Sequence, residues 1–298
     1  MAEITMDIEM NQPATRATRK RIRYLPREHG ATAMLLTPIV CAAILARAWH
    51  WSELAVLVAA FAALSAKDPL VVLVRQRFVW KQRHEETADA AHWFTGWLVL
   101  LIFSGLVLLA TWPIKATLAM GLGVAIFSAL AIAVNVKNRQ RSTLFQIASA
   151  LALTSSSLAV CLSATGTIQP WCWALWLLVA LQATAGILVV HARLDARIAA
   201  KIAAKLAAEN PAQTAPADET FRHAATVAIG FLLSAAAVAF YLSHVWIALA
   251  LLAAAIGYAY DLFLQRTAAA LDMPLTKVGQ RALALSCIYA LLLIVGLW

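Results

Sequence analysis

Nine long apolar blocks, separated by short polar connectors, constrain this chain more than any other feature of its sequence. Each block has about the 20 residues that a helix needs to cross the hydrocarbon core of a bilayer. Backbone polar groups in that core find partners only in helices or closed barrels, and apolar runs of this length are typical of helices. We therefore predict an all-α, polytopic transmembrane helix bundle of nine spans. The blocks cover residues 30–49, 53–74, 93–112, 114–135, 143–164, 171–191, 223–243, 245–264 and 280–298.

Composition favours a membrane-embedded chain over one that binds nucleic acid. Of the 298 residues, 62% are hydrophobic and 13% are charged, whereas soluble domains average about 25% charged residues. The net charge of +9 comes from cations at the ends of the apolar blocks. Cations at such places set membrane topology. We therefore expect membrane lipids, and no nucleic acid, as partners.

The distribution of lysine and arginine predicts the orientation of the spans. With nine spans and a cytoplasmic amino terminus, 22 of the 24 lysines and arginines lie in cytoplasmic segments. Only Arg47 and Lys115 fall on the outer side. This is the bias that the positive-inside rule describes, so we expect a cytoplasmic amino terminus and an outer carboxyl terminus.

Outside the spans, the chain has a polar tail and one long connector. Residues 1–25 turn basic toward their end and lack hydrophobic periodicity, which predicts a disordered basic cytoplasmic tail. Residues 26–298 then form a single transmembrane domain, with a cytoplasmic amphipathic helix and a linker at 192–221. In that helix a basic and an apolar residue each recur every four positions. The pattern fits a helix on the inner membrane surface or an extension of span six.

The four cysteines lie in apolar surroundings, without the spacing of a metal site. Small buried hydrophobic residues are the first interpretation. Cys161 and Cys172 flank one short outer loop, so a disulfide in an oxidising periplasm is the second interpretation.

Polar residues at membrane depth are costly, so each needs a partner or a function. The first group is Arg27, Glu28 and His29 at the start of span one. Glu28 suits the positive end of a helix dipole, and Arg27 can reach the lipid head groups. His29 is followed by an almost unbroken apolar run. We predict Glu28 and His29 as catalytic residues and Arg27 as a substrate-binding residue.

The second group lies near the inner end of span two. Lys67 and Asp68 precede Pro69, which has no backbone N–H and disfavours helix at the residue before it. We predict a broken helix here, with Asp68 catalytic and Lys67 and Arg75 binding substrate. The alternative is a simple ion pair at a helix end.

The third group, at the end of span six, consists of two pairs one helical turn apart. His191 and Asp195 could move protons as an imidazole–carboxylate pair, and we predict both as catalytic residues. Arg193 and Arg197 could hold an oxyanion or a phosphate, and we predict both as substrate-binding residues. The alternative is a solvated helix end.

The fourth group lies at the inner ends of spans four and eight and is explained mainly by topology. Cations at the carboxyl ends of helices are favourable for the dipole alone. We predict Asn135 and Lys137 as substrate-binding residues, and we interpret Asp261 and Arg281 as topology signals.

By the charge distribution, the first three groups lie on the cytoplasmic side. We predict that they converge on one electropositive cavity beneath the inner leaflet, which would favour an anionic head group. The alternative is that each group snorkels outward separately.

The run Pro26-Arg-Glu-His-Gly-Ala-Thr-Ala-Met-Leu-Leu-Thr-Pro38 resembles the signature of the YwiC-like family of bacterial membrane proteins. Thr32 stands where that family usually has tryptophan. The segments 191–197 and 277–279 are similar to the later part of the family. The resemblance implies a multi-pass protein of the bacterial inner membrane over about residues 26–298, and it implies no particular reaction.

The nine spans, with polar groups ending spans two and six, also resemble the UbiA-type intramembrane prenyltransferases. In that family, aspartate-rich motifs at these two places bind Mg²⁺ and a prenyl diphosphate. This chain has only Asp68 at the first place and Asp195 at the second, which are too few oxygen ligands for Mg²⁺. The resemblance therefore implies a UbiA-like arrangement without a full Mg²⁺–diphosphate motif, and we expect no cofactor, with bound Mg²⁺ as the alternative.

Two functions of different classes follow. The first is binding or modification of an anionic isoprenoid or phospholipid at a cytoplasm-facing intramembrane pocket, which includes prenyltransferase-like transfer. The second is transport or export of a small solute or ion, with Lys67, Asp68 and His191 on the path. We see no inverted repeat of the kind that transporters often contain, which favours the first.

Overall fold

The computed structural model describes residues 29–47, 49–82, 85–137, 142–209 and 220–298. Every regular element in these ranges is helical. A six-residue π-helix, Arg75–Trp80, directly continues the second α-helix. The α-helices are α1 (His29–Ala46), α2 (Trp51–Val74), α3 (Thr87–Thr111), α4 (Ile114–Val136), α5 (Thr143–Thr154), α6 (Ser156–Thr165), α7 (Pro170–Glu209), α8 (Thr220–Tyr241), α9 (Val245–Leu264), α10 (Ala268–Leu271) and α11 (Leu275–Leu297).

Eight helical stretches in the described ranges are long and apolar enough to cross a membrane. They correspond to predicted spans two to nine. Span one corresponds to α1, whose 18 residues extend about 27 Å at the usual helical rise. A polytopic helical bundle is therefore confirmed, and a ninth crossing by α1 stays a prediction.

Span two does not break at Pro69, so that prediction is wrong. Helix α2 runs through Lys67, Asp68 and Pro69 without interruption, and the π-helix extends it to Trp80. Pro69 is fully buried and leaves the carbonyl of Ser65 without its usual helical donor. One missing hydrogen bond is less costly in a membrane than an irregular segment, because every backbone group of that segment would lose its partner.

Span five, by contrast, is divided at Ser155 into α5 and α6. The Ser155 hydroxyl donates to the carbonyl of Ala152 at 2.7 Å, and such back-bonding often bends helices. The next hydroxyl, of Ser156, donates to the carbonyl of Leu35 in α1 at 3.2 Å. The serine run therefore ties the second half of span five to α1.

Helix α7 lies at the centre of the bundle. It packs against α5, α8 and α9, and its buried residues join those of α1, α6, α9 and α11 in the main apolar core. Helix α9 supplies this core mainly with alanines, such as Ala250 and Ala254, which allow membrane helices to approach closely. Helix α7 continues unbroken to Glu209, so residues 192–209 extend span six. The predicted linker at 210–219 and the predicted tail at 1–25 lie outside the described residues.

Helices α3 and α4 lie at the edge of the bundle. They pack mainly against α2, and most of their large apolar side chains are exposed. A lipid-facing surface explains this exposure. The buried polar residues described below therefore belong mainly to the part of the bundle around α7.

Candidate functional site

The residue His191 lies where α7 meets α5 and α8. Its Nε2 is 3.0 Å from Oε1 of Gln146, and its ring stacks on Phe221 with the ring centroids 5.0 Å apart. In the described part of the chain, no hydrogen bond joins His191 to Asp195. The imidazole therefore pairs with an amide rather than with the expected carboxylate. Sequence reasoning missed Gln146, because nothing in the sequence indicates which face of α5 meets α7.

Arg193 lies on another face of α7 and points into the bundle. Its side chain is buried, and only 5% of the residue is exposed. Its Nη2 donates to the carbonyl of Ala270, in the short helix α10 that connects α9 and α11. Arg193 also interacts electrostatically with Asp261 of α9, Arg197 of α7 and Arg281 of α11. We name Arg193, Arg197, Arg281 and Asp261 the arginine cluster.

In the part of the chain that the structure describes, two hydrogen-bond donors of the arginine cluster have no acceptor. The Nε atoms of Arg193 and Arg197 are buried and have no partner among the described residues. A buried donor without a partner costs about 1–3 kcal/mol, and more when it is charged. Asp261 interacts electrostatically with both Arg193 and Arg281, yet it is one acid among three arginines. Unused guanidinium donors and excess positive charge are the two properties that an oxyanion site requires.

The sequence predicted only half of this cluster. The sequence predicts Arg193 and Arg197 as substrate-binding residues, whereas it indicates only a topological role for Asp261 and Arg281. The available signal was their depth, because both residues lie within helices that cross the membrane by length and composition. Polar residues so placed are functional candidates.

Arg75 and Asn135 form a second contact between helix ends. The Arg75 Nη2 donates to the carbonyl of Asn135 at 2.5 Å, and the Asn135 side-chain amide donates to the carbonyl of Ala131 at 2.8 Å. A cation at the carboxyl end of α4 is favourable for the helix dipole. Lys137, which is exposed, lies at the edge of an apolar groove of about 440 Å³ between α4 and the α2–π-helix segment. Arg75 and Asn135 therefore join these helices, and the substrate-binding roles of Arg75, Asn135 and Lys137 stay predictions.

The span-two candidates Lys67 and Asp68 lie within the described residues, whereas most of the span-one candidates lie outside them. Lys67 Nζ and Asp68 Oδ1 are 3.8 Å apart. Arg27 and Glu28 lie outside the described ranges, and of His29 only the backbone is described, as the first residue of α1. The described interactions tie the span-six group to spans five, seven, eight and nine. The single cavity predicted for spans one, two and six stays a prediction.

A third set of polar residues lies inside the bundle, where α7, α9 and α11 meet. Gln182 Nε2 donates to Tyr258 Oη at 3.0 Å and to Ser286 Oγ at 3.1 Å. Tyr258 donates in turn to the carbonyl of Gln182 at 3.0 Å, and Tyr289 donates to the carbonyl of Leu178 at 2.8 Å. We name Gln182, Tyr258, Ser286 and Tyr289 the intramembrane cluster. Because these donors have partners, the intramembrane cluster is structural and holds three helices together.

The comparisons with known proteins bear on the amino-terminal part of the chain. No curated protein and no solved structure matches it. The family model described as YwiC-like protein matches residues 25–161. These residues include the run from Pro26 to Pro38 and extend through α1 to α5 into α6. The later segments 191–197 and 277–279 lie beyond the match, and their resemblance to the family stays a prediction, as does the UbiA-type resemblance. Residues 25–161 of this chain are therefore similar to the YwiC-like family, and the resemblance predicted from the sequence is confirmed for that part.

Proposed function

We propose that the arginine cluster binds the anionic head group of an isoprenoid or a phospholipid at the cytoplasmic face of the membrane. The observation that carries this proposal is the pair of buried Nε atoms, in Arg193 and Arg197, that have no partner among the described residues. A phosphate or carboxylate oxygen would accept from both and would offset the excess positive charge. The positive-inside distribution of lysine and arginine supports a cytoplasmic location for the end of the bundle that carries the arginine cluster.

A ligand with an apolar tail fits the surroundings of the cluster better than a soluble anion does. Leu194, Ile198 and Ile202, which alternate with the basic residues along α7, are 39%, 56% and 49% exposed. Exposed apolar side chains beside a charged site are favourable where lipid covers them. A lipid whose head group reaches Arg197 would lay its chain along this stripe.

The members of the cluster would then have different roles. Arg193 is the innermost donor and is held by the Ala270 carbonyl. Arg197 is half-buried and Arg281 is exposed, so these two would form the entrance. Asp261 would limit the repulsion among the arginines when the ligand is absent. If the bound lipid is also modified, His191 and Asp195 are the nearest proposed proton carriers along α7.

Binding to lipid nanodiscs of defined composition tests this proposal. Purified protein should bind a phosphatidylglycerol or prenyl phosphate probe and not phosphatidylcholine. Arg197→Gln and Arg281→Gln should each weaken binding roughly tenfold or more, because a hydrogen bond to a charged group contributes about 1.5–3 kcal/mol. The matched control is Lys201→Gln, one turn beyond Arg197 and exposed, which should change binding less than twofold. Equal losses in all three variants would show unspecific attraction and overturn the proposal.

The alternative function, transport of a small solute or ion, makes a different prediction. Lys67→Gln and His191→Gln would then abolish flux into proteoliposomes. Lipid binding predicts no such flux in the unmodified protein. The two proposals are therefore separated by one flux measurement.

A further inference from the structure

Two cysteines face each other at the end of the bundle opposite the arginine cluster. Cys161 lies about one turn before the end of α6, and Cys172 lies in the first turn of α7. The two thiols interact electrostatically, and both residues are 0% exposed. Cys41 and Cys287 belong to other helices, α1 and α11.

The connection between the helices holds this pair in place. Helix α6 ends at Thr165 and is followed by Gly166, which has φ of 70°, a backbone conformation that glycine adopts without strain. Helix α7 begins four residues later, at Pro170. A tight helical hairpin of this kind keeps the last turns of α6 beside the first turns of α7. A disulfide requires a close approach of two backbones, and α6 and α7 pack against each other in this hairpin.

We propose that Cys161 and Cys172 form a disulfide that closes the α6–α7 hairpin on the outer side of the membrane. Each thiol loses its proton, the pair loses two electrons, and one S–S bond forms. The electron acceptor is a protein disulfide of the oxidising outer compartment, which is reduced to two thiols in exchange. The loop at 166–169 carries no lysine or arginine, which favours its placement in that compartment.

Burial of both sulfurs limits when the disulfide can form and how easily it can be reduced. Thiol–disulfide exchange requires access of the attacking thiolate to the sulfur. The bond must therefore form before α6 and α7 pack fully, and in the folded protein it should resist reductant. Dithiothreitol should reduce it quickly only after denaturation.

Thiol counting on the full-length protein tests the proposal. Cells are quenched in acid before lysis, and the protein is denatured and labelled with N-ethylmaleimide. The number of labels is then read from its mass by mass spectrometry. We expect two labels without reductant, on Cys41 and Cys287, and four after reduction of the denatured chain. Peptide mapping should then find the residue pair 161–172 linked. Four labels without reductant, or a link between any other pair, would refute the proposal.

Cysteine variants provide the controls. Cys41→Ser and Cys287→Ser should each leave one label without reductant, because the disulfide persists. Cys172→Ser should leave three labels, because Cys161 then has lost its partner. Should Cys172→Ser fail to accumulate, the label count of the unmodified protein still decides. None of these variants alters the arginine cluster, so failure here is distinct from failure of the proposed lipid site.

Discussion

Gly186 is the position where one added methyl group should disturb the centre of the bundle most directly. A Cβ built at this residue would lie 2.8 Å from Tyr258 Oη and 3.3 Å from Tyr258 Cζ. The phenol cannot retreat freely, because its oxygen donates to the Gln182 carbonyl and accepts from the Gln182 amide, both at 3.0 Å. Gly186→Ala must therefore displace the tyrosine from the intramembrane cluster or push α7 away from α9.

Three effects determine how much Gly186→Ala changes the free energy of unfolding. Overpacking a filled core costs about 1–3 kcal/mol. Two hydrogen bonds between membrane helices contribute about 0.6 kcal/mol each on average, and replacing glycine by alanine in a helix recovers about 0.5–1 kcal/mol. We expect Gly186→Ala to lower the free energy of unfolding by roughly 1–4 kcal/mol.

Unfolding of the purified protein in mixed micelles with increasing sodium dodecyl sulfate measures this change. The matched control is Gly230→Ala in α8, where the added Cβ has nothing within 4 Å. That control should stay within about 0.5 kcal/mol of the unmodified protein. Adding Tyr258→Phe to Gly186→Ala removes the closest clashing atom, so the pair should be less destabilised than the sum of the single variants. If Gly186→Ala is as stable as Gly230→Ala, the packing argument is wrong.

Three further predictions concern packing, topology and metal. Gln182→Leu should lower the free energy of unfolding by about 1–2 kcal/mol in the same assay, because Tyr258 and Ser286 lose a donor; an unchanged value would contradict the role of the intramembrane cluster. A reporter fused after Glu209 should be cytoplasmic and one fused after Trp298 should be outside, and a cytoplasmic carboxyl terminus would overturn the nine-span count. Lipid binding should persist in a chelator, and strict Mg²⁺ dependence would show that the two aspartates of spans two and six matter more than we infer.

Most of the fold could be predicted from the sequence, because each helix that crosses a bilayer needs an apolar segment of about 20 residues. Each predicted block coincides to within about five residues with one helix, or with α5 and α6 for span five. The exceptions are the second span, which continues to Trp80, α3, which begins at Thr87, and α7, which continues to Glu209. The error at Pro69 has a physical origin. The rule that proline ends helices reflects chains in water, where freed backbone groups are hydrated, whereas lipid offers no such partner.

The partners within the site could not be predicted in the same way. Depth in the membrane can be read from the sequence, but the contacts of a side chain depend on how each helix is rotated. His191 and Asp195 share one face of α7, yet the imidazole of His191 pairs with the side-chain amide of Gln146 in α5. The closeness of Gly186 to Tyr258 joins residues more than 70 positions apart, and no local pattern indicates it.

The two polar clusters around α7 differ in a way that a purely structural role does not explain. In the intramembrane cluster, neutral groups meet neutral groups, and the named donors have acceptors. In the arginine cluster, Arg193 needs one donor to hold the Ala270 carbonyl, and a neutral amide such as that of Gln265, which binds the carbonyl of Val189 at 3.2 Å, would suffice. Three arginines beside one aspartate instead repel one another in a medium where charge is costly. An anionic ligand would turn that repulsion into attraction, which is the reason to look for lipid chemistry at this end of the bundle.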